Sequence, residues 1–229
     1  MDRKFYNEEI HHVYNRGVDK RRVFIDVVDY ERFLACLVLL NDQDVYRMVR
    51  WRDFNRKQVK QGVSEVRPLE FRALNLGACQ PLVKIISYCL NPNHFHLILK
   101  QISEKGIALF MQKLGTAYTM YFNKRHNRSG SLFQGKFKNA LIDDDQLLFL
   151  SVYVSCNHLI HGYEEGFGWQ FQSHLEYLGE SNENFCEKSI ILDQFGKNKK
   201  EQKDFYKKFC LENAEFLKEK KEFLKKFLE

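Results

Sequence analysis

The chain has 229 residues, 44% of them hydrophobic and 29% charged, with a formal net charge of +6. That suffices for one domain with a sizeable core plus an appendage, or for two small domains. No apolar run approaches the ~20 residues of a membrane span, and the opening "MDRKFYNEEI" has no apolar signal core, so the expected location is cytoplasmic.

"EEIHHVYNRG" (8–17) predicts a strand that ends at Gly17. "DVVDYERFLACLVLLN" (26–41) predicts a helix that starts on an aspartate cap, with Phe33, Cys36, Leu37 and Leu40 at helical spacing. Residues 42–80 are charged and irregular in period; "VYRMVRWRDFNRKQVKQG" suits a basic helix, an extended hairpin or a loop. "PLVKIISYCL" and "HFHLILK" predict two strands joined by the turn "NPN". A helix follows over 104–125, with Ile107, Phe110, Met111, Leu114, Tyr118 and Tyr121 on one stripe, which assigns both tyrosines to the core.

"NKRHNRSGSLFQGKFKN" (123–139) is a basic loop punctuated by glycine, and "DDD" (143–145) caps a short apolar helix, "QLLFLSVYVSCNHL". Residues 162–196 are mixed and loop-rich. The chain closes on an amphipathic helix whose Phe205, Phe209, Phe216, Phe223 and Phe227 step by 4, 7, 7 and 4. That helix is expected to lie outside the main domain, with its phenylalanines docking on it or on a second subunit. Strands interleaved in this way with helices predict an α+β fold, an antiparallel sheet with helices packed on it.

Six scattered cysteines without a CxxC pattern suit reduced thiols better than a disulfide frame or a zinc ribbon. The charge is local rather than general. From Lys197 onward eleven lysines face seven carboxylates, whereas residues 101–142 hold seven basic residues and a single acid, Glu104. A basic patch on a nearly balanced domain suggests a polyanionic partner, with a solvated lysine surface as the plainer alternative.

The residues with most chemistry are in "NPNHFHLILK". Side chains alternate along a strand, so His94 and His96 share one face while Phe95 turns to the core. Two imidazoles about 7 Å apart along a strand can converge on one cation. The plainer alternative is two polar residues on a solvated sheet face. Tyr153 and Asn157, spaced i, i+4, present a phenol and an amide on one helix face. Arg125, Arg128, Lys136 and Lys138, interleaved with Phe133 and Phe137, combine charge for phosphates with rings for bases, as a single-stranded nucleic-acid site requires.

Taken in order, "HHVYNRGVDKRRVF", "DYERFL", "NPNHFHLILK", "MQKLGTAYTMYFNKRHNRSGSLFQGKFK" and "YVSCN" resemble the insertion-sequence-200-like and REP-associated tyrosine transposases of the HUH (His-hydrophobic-His) endonuclease superfamily. The resemblance covers about residues 8–160. It implies a ferredoxin-like or RRM-like domain over residues 1–180, followed by a helical extension over 181–229. It implies a divalent metal, Mg²⁺ or Mn²⁺, on His94, His96 and Asn157, and Tyr153 as the nucleophile. The implied substrate is hairpin-bearing single-stranded DNA, gripped by Arg16 and the basic loop and cleaved and rejoined through a 5′-phosphotyrosine. A homodimer stands as the alternative to a monomer. Two departures from the family pattern are His158, which follows Asn157 and could intrude on the site, and Asn91, from which little effect is expected. The competing readings are a domesticated hairpin-binding module that no longer cuts, and a hydrolase in which the histidine-bound metal activates water.

Overall fold

The computed structural model describes residues 5–44, 46–62, 70, 80–161 and 170–228. Strand β1 (Ile10–Arg16) leads into helix α1 (Val27–Leu39), where the Asp26 side chain accepts hydrogen bonds from the backbone N–H groups of Val28 and Asp29 and so satisfies two orphan donors. Part of the ambiguous basic segment resolves as helix α2 (Arg47–Lys60), which starts on a buried ion pair between Arg47 and Asp42. Residues 63–69 and 71–79, where the sequence left the structure open, lie outside the described residues. The hairpin of β2 (Val83–Asn91) and β3 (His94–Gln101) turns at Pro92 and Asn93. Helix α3 (Gly106–Arg125) follows. A side-chain carbon at Gly106 would come within 2.1 Å of the Leu82 carbonyl oxygen, so only glycine lets this helix start against the foot of β2.

The strand the sequence reading missed is β4 (Lys138–Leu141), which pairs with β1 and turns the end of the basic loop into a sheet edge. The sheet order β2-β3-β1-β4 is antiparallel throughout, with α1 between β1 and β2 and α3 between β3 and β4. This is the split βαβ arrangement of ferredoxin-like domains, so the fold is α+β as expected.

The two sheet faces have different company. Val13, Phe95, Leu97 and Leu99 point to one side and join Phe33, Leu37, Phe110, Leu114 and Tyr118 of α1 and α3 in the core. Tyr118 is fully buried and its hydroxyl donates to the Val23 carbonyl at 2.6 Å, in keeping with its assignment to the core. The other face is partly covered by α4 (Asp144–Ser155) and α5 (Asn157–His161), then by α6 (Ser173–Leu178), α7 (Ser189–Leu192) and α8 (Lys199–Leu228).

Helix α8 is amphipathic, but its buried stripe differs from the phenylalanine stripe read from the sequence. Tyr206, Cys210 and Ala214 are buried, while Phe205 and Phe216 are about half exposed; the side chains of Phe223 and Phe227 lie outside the described residues. The reason is close approach: small side chains let α8 lie against α4 and α5, with the Tyr206 ring stacked on Tyr177 at 4.8 Å and its hydroxyl 2.9 Å from Ser155 Oγ. The first half of the terminal helix therefore packs directly against the helices that carry Tyr153 and Asn157.

Candidate active site

Strand alternation puts His12, Tyr14 and Arg16 of β1 on the same sheet face as His94 and His96 of β3, because Tyr14 pairs with His96 and Arg16 with His94. Asn91 of β2, opposite His94, and Lys138 of β4, opposite Tyr14, join them. The imidazoles of His94 and His96 stand 5.0 Å apart, nearly perpendicular. His96 is buried, and its Nδ1 lies 2.9 Å from Nε2 of His12.

Tyr153 comes down on this face from α4. Its ring meets those of His96 and His12 edge-on, with centroids 5.7 Å and 6.2 Å away. Asn157, fully buried one turn later, donates from its amide to the Tyr153 carbonyl at 3.2 Å. The i, i+4 relation thus survives the turn at Cys156 that separates α4 from α5. The spacing of Tyr153, Asn157 and the histidine pair brings all four together.

His94 Nδ1 lies 2.6 Å from Asn93 Oδ1. An amide oxygen only accepts, so this nitrogen carries the proton and Nε2 keeps its lone pair. The Asn91 amide nitrogen donates to that lone pair at 3.0 Å and to Asn157 Oδ1 at 2.8 Å. Two acceptors from distant parts of the chain are therefore aimed at one point, as a cation would require. The donor set, two imidazoles and an amide oxygen, suits a divalent ion of the Mn²⁺ or Mg²⁺ kind. Asn91, from which the sequence led us to expect little, touches two of the three candidate ligands. His158 turns away, 3.3 Å from the Gln172 side chain. His12 and His161, whose ring lies 6.3 Å from His94, were not singled out in the sequence; the doubled "HH" in β1 was the available signal for His12.

Residues 47–157 match the family model described as "Transposase IS200 like". Over that segment, just under half of the chain, the protein is similar to the IS200-like transposases. The matched segment takes in His94, His96, Tyr153 and Asn157 and stops before α6 and α8. No curated protein matches the chain. Among solved structures, a REP-associated tyrosine transposase bound to a REP hairpin aligns with 82% of this chain and 96% of its own, at 9% identity and a TM-score of 0.45. No helix among the described residues is long and apolar enough to cross a membrane.

The basic loop divides. Arg16, Lys136 and Lys138 are exposed, and Phe137 is half-buried, its ring 6.3 Å from Phe5. Arg128 bonds Asn123 Oδ1 at 2.8 Å and lies over the Phe122 ring. Two residues expected on DNA are engaged with the fold. Phe133 is buried edge-on against Phe95, 5.6 Å away, and offers no face to a base. Arg125 forks onto Asp26 and Asp29, at 2.7 Å and 2.6 Å, and holds the Asp26 carboxyl below the usual carboxylate range through its hydrogen bonds. A periodic reading of a loop cannot reveal such partners on α1. Arg125→Ala should leave the fully buried Asp29 short of a cation and destabilise the fold by about 2 kcal/mol, while affinity for single-stranded DNA changes less than about threefold. Urea unfolding and a DNA titration check this; an unchanged urea midpoint with a tenfold affinity loss would return Arg125 to the DNA interface.

Burial sets the protonation of the site. It pushes His12 down to about 4 and His96 well below the ordinary imidazole value, the latter helped by its neighbours His94, His12 and His161. Both rings are neutral in the fold, yet in the unfolded chain they take up protons near pH 6.5. Their depressed values therefore favour the fold fully above about pH 6.5, and the contribution is lost as pH falls toward 4. Between pH 7.5 and pH 5, in EDTA, the urea unfolding free energy should drop by about 2 kcal/mol from His12 alone. A flat profile over that range would contradict the neutral, buried assignment.

Proposed function

We propose that this IS200-like transposase cleaves and rejoins single-stranded, hairpin-bearing DNA through a covalent 5′-phosphotyrosine on Tyr153. The observation that carries the reading is the meeting of Tyr153 with His94, His96 and Asn157 on one partly open sheet face. Tyr153 Oη attacks the scissile phosphorus, the P–O3′ bond breaks, and the 3′ oxygen leaves and takes a proton while the 5′ phosphate stays on the tyrosine. Because the ester conserves the bond energy, a second 3′-hydroxyl can reverse the step without a nucleotide cofactor. His94, His96 and Asn157 would hold a divalent cation, Mg²⁺ or Mn²⁺, which neutralises charge on the non-bridging phosphate oxygens.

The protein's own groups account for the rest. Burial raises the Tyr153 phenol above its ordinary value, and a hydrogen bond from the Asn157 side chain works against that rise. The packing against His96 and His12 limits the ring's freedom and so reduces the entropy lost on attack. Its distance from His96 favours action on the histidine pair of the same chain. Arg16 and Lys138 flank the pair on the same face and are placed to take backbone phosphates, with Lys136 beyond them. Tyr14, half-buried and stacked near His96 at 5.8 Å, is placed to meet a base. In this reading residues 1–180 form the catalytic domain and 181–229 an extension that braces the tyrosine helix.

The test is incubation with end-labelled hairpin DNA and Mn²⁺ or Mg²⁺, followed by a denaturing gel. A labelled protein adduct supports the transposase. Cleavage without an adduct indicates a hydrolase, and binding alone a domesticated module; either outcome sinks the proposal.

A further inference from the structure

Behind the tyrosine helix lies a second group of metal-binding side chains that DNA cleavage does not use. Cys156 sits at the turn between α4 and α5, His174 on α6 and Cys210 on α8, and their ligand atoms all lie within 4.8 Å of one another. All three residues are buried. Cys156 Sγ lies 3.5 Å from His174 Nδ1, and Cys210 Sγ lies within 4.8 Å of both ligand atoms. Zinc–sulfur and zinc–nitrogen bonds of about 2.3 and 2.0 Å at a tetrahedral angle put S and N about 3.5 Å apart, so this edge of the tetrahedron is already formed. The sulfur–sulfur edge of such a site is about 3.8 Å, so an adjustment of about 1 Å at most completes the set.

We propose that Cys156, His174 and Cys210 form a structural zinc site that clamps the terminal helix to the tyrosine helix, separate from the divalent site on the sheet. Two thiolates and an imidazole are a soft donor set that selects zinc, whereas the histidine and amide donors on the sheet suit harder ions. The two thiols release their protons to solvent as the ion binds. The residues come from segments far apart in sequence, so one ion would tie three helices together beside Asn157. Tyr206, Cys210 and Ala214 already bury this face of α8, and such an ion would reinforce that docking.

The test uses the full chain, purified under reducing conditions. Elemental analysis should find about one zinc per chain. Cobalt(II) in its place should give thiolate-to-cobalt charge-transfer absorption, which the histidines of the sheet cannot produce. The same absorption should persist in the His94→Ala/His96→Ala double variant and vanish in Cys210→Ser. Removing the zinc should lower the melting temperature by roughly 5–10 °C. Because Cys210→Ser can simply unfold, the wild-type titration decides by itself. Cobalt uptake without thiolate bands overturns the site. So does a Cys156–Cys210 disulfide found by peptide mass spectrometry in freshly purified protein, or a melting temperature indifferent to zinc.

Discussion

Tyr153→Phe is expected to abolish both DNA cleavage and the covalent adduct, by about 10⁴-fold or more, while leaving the fold intact. The substitution removes one oxygen from a half-buried ring whose carbon atoms make the contacts with His96 and His12. Urea unfolding should therefore move by less than about 1 kcal/mol, and affinity for hairpin DNA should hold. Tyr118→Phe provides the contrast. Its hydroxyl is spent on the Val23 carbonyl deep in the core, so this change costs about 1 kcal/mol of stability and spares chemistry. A Tyr153→Phe protein that still forms adduct, beside an inactive Tyr118→Phe protein, would remove Tyr153 from the mechanism.

Replacing either histidine with alanine should abolish metal-dependent cleavage at ordinary metal concentrations, but the two variants should differ in stability. Loss of one ligand from a set of three is expected to weaken the apparent Mn²⁺ affinity by about 10³-fold, so a large excess of metal should restore part of the activity of His94→Ala. His96 is buried among His12, Tyr14 and Tyr153. His96→Ala leaves a cavity and takes the hydrogen-bond partner at His12 Nε2, at a cost of about 2–3 kcal/mol. His94 is only half-buried, and its loss costs less. Asn157→Ala should lie between, because a neutral amide is a weak ligand yet its oxygen anchors Asn91. Calorimetric Mn²⁺ titration with cleavage assays checks the series; wild-type cleavage rates in EDTA would sink it.

The cysteine cluster changes what a truncation should do. With the terminal helix taken as an outlying element, removal near residue 198 would leave the chemistry untouched. Tyr206 and Cys210 instead cover Ser155 and Cys156, immediately before Asn157. Removal would expose that surface, so loss of stability is expected along with any change in DNA affinity.

What the sequence by itself determined is what periodicity along one element can encode. The aspartate cap of α1, the strand that carries His94 and His96 on one face, the apolar stripe of α3 and the i, i+4 pairing of Tyr153 with Asn157 are all local. Each follows from a repeat of 2 or 3.6 residues acting within a few residues of chain. Only the tertiary structure decided matters that join distant segments. Short, polar β4 exists because the edge of β1 offers its hydrogen bonds. Arg125 and Phe133 are held by Asp29 and Phe95, which are next to them in space, not in sequence. Asn91 entered the site through His94 and Asn157, and the buried face of α8 turned to Tyr206, Cys210 and Ala214 because Tyr177 and Ser155 meet the Tyr206 ring and hydroxyl there. Such contacts leave no period in the sequence, since the partner that sets them lies dozens of residues away.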